Sequence, residues 1–119
     1  MTDQQEHYPT EIILHKKSRT LEVTFENKER FLLPCEYLRV FSPSAEVRGH
    51  GIGNEKLVLG KEQVGILAIE PVGHYAVKFI FSDGHRTGIY SWQTLYSLGV
   101  NYQQNWRVYL EKAAWTKNV

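Results

Sequence analysis

The chain has 119 residues, of which 42% are hydrophobic and 23% are charged, and its formal net charge is +1. This length accommodates one domain, and a chain of this size buries roughly two thirds of the surface that its unfolded form exposes. The composition is that of a globular protein and excludes a disordered chain. The balanced charge excludes a strong overall field for nucleic acid or anionic lipid, so we expect neither as a partner.

No membrane span or secretory leader is predicted. The longest apolar stretch, residues 64–72, is far shorter than the roughly 20 residues that a spanning helix needs. Residues 1–9 are polar and acidic-leaning, and they lack the basic start and apolar centre of a signal peptide. We therefore expect a cytoplasmic protein.

Three strands are predicted in the first third of the chain, over residues 11–16, 21–25 and 30–33. Leu21, Val23 and Phe25 alternate with polar residues, a pattern that is typical of a strand with one buried face. Because short polar turns separate the strands, they are predicted to form an antiparallel meander.

A short helix and a long loop are predicted next. Pro34 suits the first turn of a helix over residues 35–41, and Pro43 ends it. Residues 45–62 contain four glycines and few apolar anchors. This composition predicts a mobile loop.

The second half predicts a hairpin followed by two helices. The hairpin strands cover residues 64–72 and 75–81, and residues 85–90 form a further extended piece. Ser91 can cap a helix that ends at Gly99, and Asn101 with Gln104 resembles a capping box for the last helix. Five residues of that helix are predicted to share its packed face: Tyr102, Trp106, Tyr109, Leu110 and Ala113.

The order of elements predicts an α+β fold. It has a small antiparallel sheet, built from hairpins and a meander, with helices packed on one side. We predict a single domain over residues 10–115, with tails at 1–9 and 116–119.

The glycines at 49, 51 and 53 suggest a phosphate-binding loop, but the spacing does not match. A dinucleotide motif requires glycine where Lys56 stands, and a P-loop requires glycine where Glu55 stands. A surface loop is the better interpretation.

A catalytic centre is not indicated by the nucleophiles of the chain. Asp83, His85 and Ser91 could form a hydrolase triad, but a turn explains Asp83 and a helix cap explains Ser91. Cys35 at a helix start could be a reactive thiol, and a buried structural cysteine is the alternative. Since Cys35 is the only cysteine, one chain can build neither a disulfide nor a thiolate-rich metal site.

The five histidines do not have the spacing of a zinc-binding motif. His7 is predicted in the tail, His15 on a strand, His50 in the loop and His74 at the hairpin turn. Only His85, between Asp83 and Arg86, belongs to a polar cluster of interest.

Four separated segments resemble signature segments of one family: Leu38-Arg39, Ser42-Pro43-Ser44-Ala45-Glu46-Val47, Pro71-Val72-Gly73-His74-Tyr75-Ala76-Val77 and Asp83-Gly84-His85-Arg86-Thr87-Gly88-Ile89-Tyr90-Ser91-Trp92. The chain thus resembles the gamma-butyrobetaine hydroxylase-like N-terminal domain family, also called DUF971, over about residues 10 to 98. The resemblance implies a compact α+β domain. Such domains occur alone in bacteria, ahead of the catalytic barrel of the hydroxylases, and fused to iron–sulfur scaffold ATPases.

The resemblance also implies a structural zinc, which three cysteines and one histidine bind in the hydroxylases. The cysteine positions fall on Ser42, Ser44 and Val47, and only the histidine is retained, as His85. Because serine is a poor zinc ligand and valine is none, we expect no zinc here. We expect packing to replace the metal, with Pro43 and Val47 against the second hairpin. The barrel and its iron ligands have no counterpart, so hydroxylase activity is not expected.

Our leading hypothesis is a stand-alone, non-enzymatic accessory domain that recognises a protein partner and needs no cofactor. Its expected contact surfaces are the loop at residues 48–61 and the segment 83–92, in particular Asp83, His85, Arg86, Tyr90 and Trp92. The alternative is a metal-binding or iron–sulfur cluster assembly accessory protein, with His85 and either Cys35 or His50 as ligands. The identity of the partner and the oligomeric state stay open.

Overall fold

The structure, a computed structural model, describes residues 6–44 and 57–117. In chain order its elements are β1 (Pro9–His15), β2 (Thr20–Phe25), β3 (Arg30–Pro34), α1 (Cys35–Val40), β4 (Ile66–Val72), β5 (Ala76–Phe81), β6 (Ile89–Ser91), α2 (Trp92–Val100) and α3 (Tyr102–Lys117). The α+β class is therefore confirmed. Most of the predicted loop, residues 45–56, lies outside the described residues.

The strands form two three-stranded antiparallel sheets, with the orders β1-β2-β3 and β4-β5-β6. The predicted meander is the first sheet, in which Val23 lies opposite both Ile12 and Phe31. The predicted hairpin and the extended piece after it form the second sheet. The prediction of one sheet is refined to two, because no strand of the first sheet pairs with a strand of the second among the described residues.

The core lies where the two sheets meet α1 and α2. Its largest fully buried side chains come from all of these elements and include Phe25, Leu38, Phe79, Phe81, Tyr90 and Leu95. Burial of each such side chain contributes about 1.5–3 kcal/mol to folding. The central strands β2 and β5 alternate buried and half-buried residues, as period-two patterning requires.

α2 begins as predicted and ends differently. Ser91 is its N-cap, and the Ser91 hydroxyl accepts a hydrogen bond from the Thr94 N–H at 3.1 Å. Gly99 is not the stop, because it lies inside the helix, where a Cβ atom would be 2.5 Å from the ring of Phe31. Close packing on β3 therefore explains this glycine.

The predicted capping box at the start of α3 is wrong. The Asn101 N–H and the Asn101 side-chain amide both donate to the Ser97 carbonyl, at 3.0 Å each. Asn101 therefore closes α2, and its N–H is not left for Gln104. Leu110 was also misplaced, since it is 50% exposed, whereas Tyr109 and Ala113 are buried against Val40.

Substitution of the N-cap tests how α2 is held. We expect Ser91→Ala to destabilise the domain by about 1 kcal/mol, because the first turn of the helix loses an acceptor. The free energy of unfolding from urea titration measures this loss. Gln93→Ala, an exposed change in the same turn, is the control and should have an effect of less than about 0.5 kcal/mol. Equal losses in the two variants would contradict the capping role.

None of the helices in the described ranges is long and apolar enough to cross a bilayer.

Candidate functional site

Two of the sequence segments that carry the resemblance meet in space. The end of α1 and the residues after it lie against the loop between β5 and β6. We call this group the signature cluster, and its members are Arg39, Ser42, Ser44, Lys61, Asp83, His85, Thr87, Gly88 and Tyr90.

Asp83 is the charged anchor of the cluster. Its Oδ2 atom accepts hydrogen bonds from Arg39 Nε at 2.9 Å and from Lys61 Nζ at 2.7 Å, while Oδ1 accepts the His85 N–H at 3.1 Å. Burial alone would raise the pKa of Asp83, but these donors, Lys61 first, outweigh it and lower the pKa to about 2. Asp83 is therefore a carboxylate at neutral pH. Gly84 follows with a φ of 93°, which the turn requires.

Arg39 depends on this carboxylate. Its side chain is only 11% exposed, and its Nη1 atom is buried without a hydrogen-bond partner. A buried cation is costly unless it is paired. The Asp83 contact thus holds a charge that would otherwise destabilise the end of α1.

His85 and Ser42 form the buried centre of the cluster. His85 Nε2 and Ser42 Oγ share a hydrogen bond of 2.9 Å, and Ser42 Oγ also accepts the Ser44 N–H at 3.2 Å. Beside them, the hydroxyls of Ser44 and Thr87 are 2.7 Å apart. These bonds tie the residues after α1 to the β5–β6 loop.

Gly88 closes the space around Ser42. A Cβ atom on Gly88 would lie 2.3 Å from Ser42 Oγ and 3.3 Å from Pro43 Cδ. No side chain fits at this position while the Ser42 and His85 bond is kept. A glycine is thus required here by close approach.

Tyr90 and Trp92 attach the signature segment to the core. Tyr90 is fully buried, and its hydroxyl donates to the Leu38 carbonyl at 2.6 Å. Burial raises the pKa of Tyr90, so the phenol stays protonated. Trp92 is half-buried and its Nε1 atom donates to the His74 carbonyl at 2.8 Å.

The five residues that were predicted to contact a partner therefore differ in accessibility. His85 and Tyr90 are buried, the Asp83 carboxylate is bonded on both oxygens, and Trp92 is half-buried. Arg86 is the exposed member of the set. The partner contact stays a prediction, and the surface around Arg86 is where it is open to test.

Sequence reasoning did not single out Arg39 and Lys61 as members of the cluster. Arg39 had a signal, because it belongs to a segment that carries the resemblance. Lys61 had none, since only tertiary structure brings it to Asp83.

The triad of Asp83, His85 and Ser91 does not assemble. Ser91 Oγ is bonded to Thr94, while His85 Nε2 is bonded to Ser42. Ser42 and His85 have the spacing of a nucleophile and a base, yet Ser42 is 0% exposed and its Oγ atom lies among Ser44, His85 and Gly88. A substrate carbonyl has no room there.

Cys35 is buried, in agreement with a structural role. Burial raises the pKa of the Cys35 thiol, which opposes formation of the nucleophilic thiolate.

The residues that the zinc site would use lie together but do not fit zinc. Ser42, Ser44 and His85 belong to one cluster, and the histidine is already bonded to a hydroxyl. A tetrahedral structural site needs thiolate or imidazole ligands, of which these positions offer one. Within residues 6–44 and 57–117 no group of three His, Cys, Asp or Glu side chains could hold a metal ion. Val47 and His50 lie outside the described residues.

The histidines outside the cluster have local roles where they are described. His15 is on β1, as predicted, and pairs with Glu22 at 2.8 Å. His74 is in the β4–β5 turn, also as predicted. His7, predicted to lie in the tail, bonds Glu26 at 2.8 Å and stacks on Tyr96.

Comparison with protein families identifies the domain. The family model described as gamma-butyrobetaine hydroxylase-like, N-terminal, matches residues 12–96. The chain belongs to this family. No curated protein matches the chain.

Solved structures of this family's fold are similar over most of the chain. One solution NMR structure has 51% sequence identity, covers 98% of this chain and 88% of its own, and superposes with a TM-score of 0.82. A second NMR structure has 44% identity, covers 92% and 86%, and gives a TM-score of 0.81. A crystal structure from Acidithiobacillus ferrooxidans ATCC 23270, described as a protein of unknown function in the DUF971 family, has 41% identity, covers 76% and 91%, and gives a TM-score of 0.65.

Proposed function

We propose that this gamma-butyrobetaine hydroxylase-like N-terminal domain is a non-enzymatic accessory domain that binds a protein partner. The observation that carries the proposal is the internal use of the signature side chains. Asp83, His85 and Tyr90 bond to Arg39, Ser42 and Leu38 and thereby hold the fold. The same bonds fix the position of the exposed surface next to them.

That surface is the outer face of the second sheet, which we call the signature face. Its members are Ala68, Glu70, Lys78, Ile80 and Ile89, with Arg86 in the exposed segment that leads into β6. Ile89 is 47% exposed and lies opposite Lys78, which pairs with Glu70 at 3.7 Å. Apolar side chains among charges of both signs suit recognition of a protein surface.

A photo-crosslinking residue in place of Ile89 tests this proposal. In cells that make the protein naturally, we expect one discrete crosslinked protein. The same substitution at Leu32, which is 52% exposed on β3 of the first sheet, is the matched control and should give no such product. Arg86→Glu in the Ile89 crosslinking variant should reduce the yield by about 10-fold, because a rim charge is reversed.

The result has to be separated from loss of folding and from the metal-handling alternative. Arg86 is exposed, so the melting temperature of Arg86→Glu should stay within about 2 °C of the parent. Equal crosslinking from positions 32 and 89 would refute the signature face. Stoichiometric zinc or iron that is lost in His85→Ala would instead favour the role in metal handling.

A further inference from the structure

The helix α3 carries an exposed stripe that the rest of the described chain does not cover. Gln103, Arg107, Leu110 and Ala114 follow at spacings of four, three and four residues, so they form a row along the helix. All four are exposed, and Leu110 is 50% exposed. We call this row the α3 stripe.

Neighbouring aromatic side chains make the stripe apolar along one edge. Trp106 is half-buried, with one side against Tyr109 in the small cluster that attaches α3 to α1. Together with Tyr102 and Leu110 it lines a shallow depression on the surface. An exposed apolar strip of this kind is typical of an interface.

Two charges on the outer edge of the stripe are unpaired. Arg107 and Glu111 are exposed and stand one turn apart, but the ion pairs of the described residues include neither of them. They carry opposite charges, so the stripe has no net preference for an acidic or a basic partner. A surface with its own complement of charges fits a second copy of itself.

We propose that the α3 stripe is the interface of a symmetric dimer in which two α3 helices pack antiparallel. When the twofold axis passes between residues 108 and 109, Arg107 faces Glu111 of the partner subunit. By symmetry Glu111 faces Arg107 of the partner subunit, so one contact is made twice. Leu110 packs in the centre between these pairs, and the small side chain of Ala114 allows the helices to approach closely.

The size of the stripe sets the strength of this dimer. A helix of 16 residues is about 24 Å long and presents only four layers of side chains. Such an interface is smaller than a standard one, so we expect a dissociation constant on the order of 10–100 µM. The dimer therefore forms only at high local concentration.

Sedimentation velocity of the whole chain, from roughly 10 to 500 µM, is the test because this range spans the expected dissociation constant. The wild type should shift from monomer to dimer. Arg107→Glu should weaken the association by roughly 10-fold or more, because both ion pairs become repulsive. The double variant Arg107→Glu with Glu111→Arg exchanges the charges and should restore it, which shows that the fold is intact.

Val108→Asp is the control on the other side of the helix, and it should leave the association unchanged. The proposal is refuted by a wild type that stays monomeric throughout the range, or by a double variant that stays as weak as Arg107→Glu. A loss of association in Val108→Asp equal to that in Arg107→Glu would place the contact elsewhere and would also refute it.

Discussion

Replacing Gly88 by alanine should destabilise the domain by about 2–3 kcal/mol. The new Cβ atom would lie 2.3 Å from Ser42 Oγ and 3.3 Å from Pro43 Cδ, so the Ser42 side chain has to move. Because that hydroxyl is bonded to His85, overpacking and loss of a buried hydrogen bond occur together. The free energy of unfolding from urea titration, with circular dichroism as the signal, measures the effect.

A double-mutant cycle separates this contact from a general effect of alanine. Ser42→Ala alone removes the partner of His85 and should cost about 1–3 kcal/mol. In the double variant the clash is absent, so Gly88→Ala should add little to the cost of Ser42→Ala. Gly65→Ala is the control, because its Cβ atom would meet Arg19 at an ordinary 3.7 Å. Additive losses in the double variant would show that Ser42 is not the obstacle.

Replacing Asp83 by alanine should cost about 2 kcal/mol at neutral pH. The lowered pKa of Asp83, about 2 against an ordinary 3.8, is equivalent to about 1–2 kcal/mol once solvent screening is allowed for. The substitution also leaves the Arg39 guanidinium, which is 11% exposed, without its carboxylate. The free energy of unfolding at pH 7 gives the total.

The pH dependence of the same variant tests the electrostatic cause. Because the folded-state pKa of Asp83 is depressed, its contribution is fully present above about pH 4 and is lost as the pH falls towards 2. The difference in stability between wild type and Asp83→Ala should therefore shrink over this range. Glu70→Ala removes a more exposed ion pair, with Lys78 at 3.7 Å, and should change stability by less than about 0.5 kcal/mol. A constant difference between wild type and Asp83→Ala from pH 4 to 2 would assign the effect to packing.

These two predictions concern the signature cluster because it links distant parts of the chain. Ser42 and His85 are 43 residues apart in sequence, and Arg39 and Asp83 are 44 apart. Local patterns contain no information on such distances. The resemblance to a family pointed to the right segments, but it did not show that Asp83 and His85 act inward.

The sequence was informative wherever a local rule decides the structure. The alternation of Leu21, Val23 and Phe25 predicted a strand with one buried face, and all three side chains are at most 1% exposed. Ser91 caps α2 as predicted, since capping depends only on neighbouring residues. Gly99 and Asn101 were misinterpreted because the deciding contacts, with Phe31 and with the carbonyl of the previous turn, depend on packing and on the end geometry of α2.

By itself, the amino-acid sequence determined the α+β class, five of the six strands nearly in full, the helix starts at Pro34 and Ser91, and membership of the family. Periodicity and capping are local, so they can be read along the chain. Only the tertiary structure decided that there are two sheets, that Lys61 and Arg39 share Asp83, and that Arg86 and Ile89 remain exposed. The physical reason is that burial and charge pairing depend on which distant segments meet, and that meeting minimises the free energy of the whole chain.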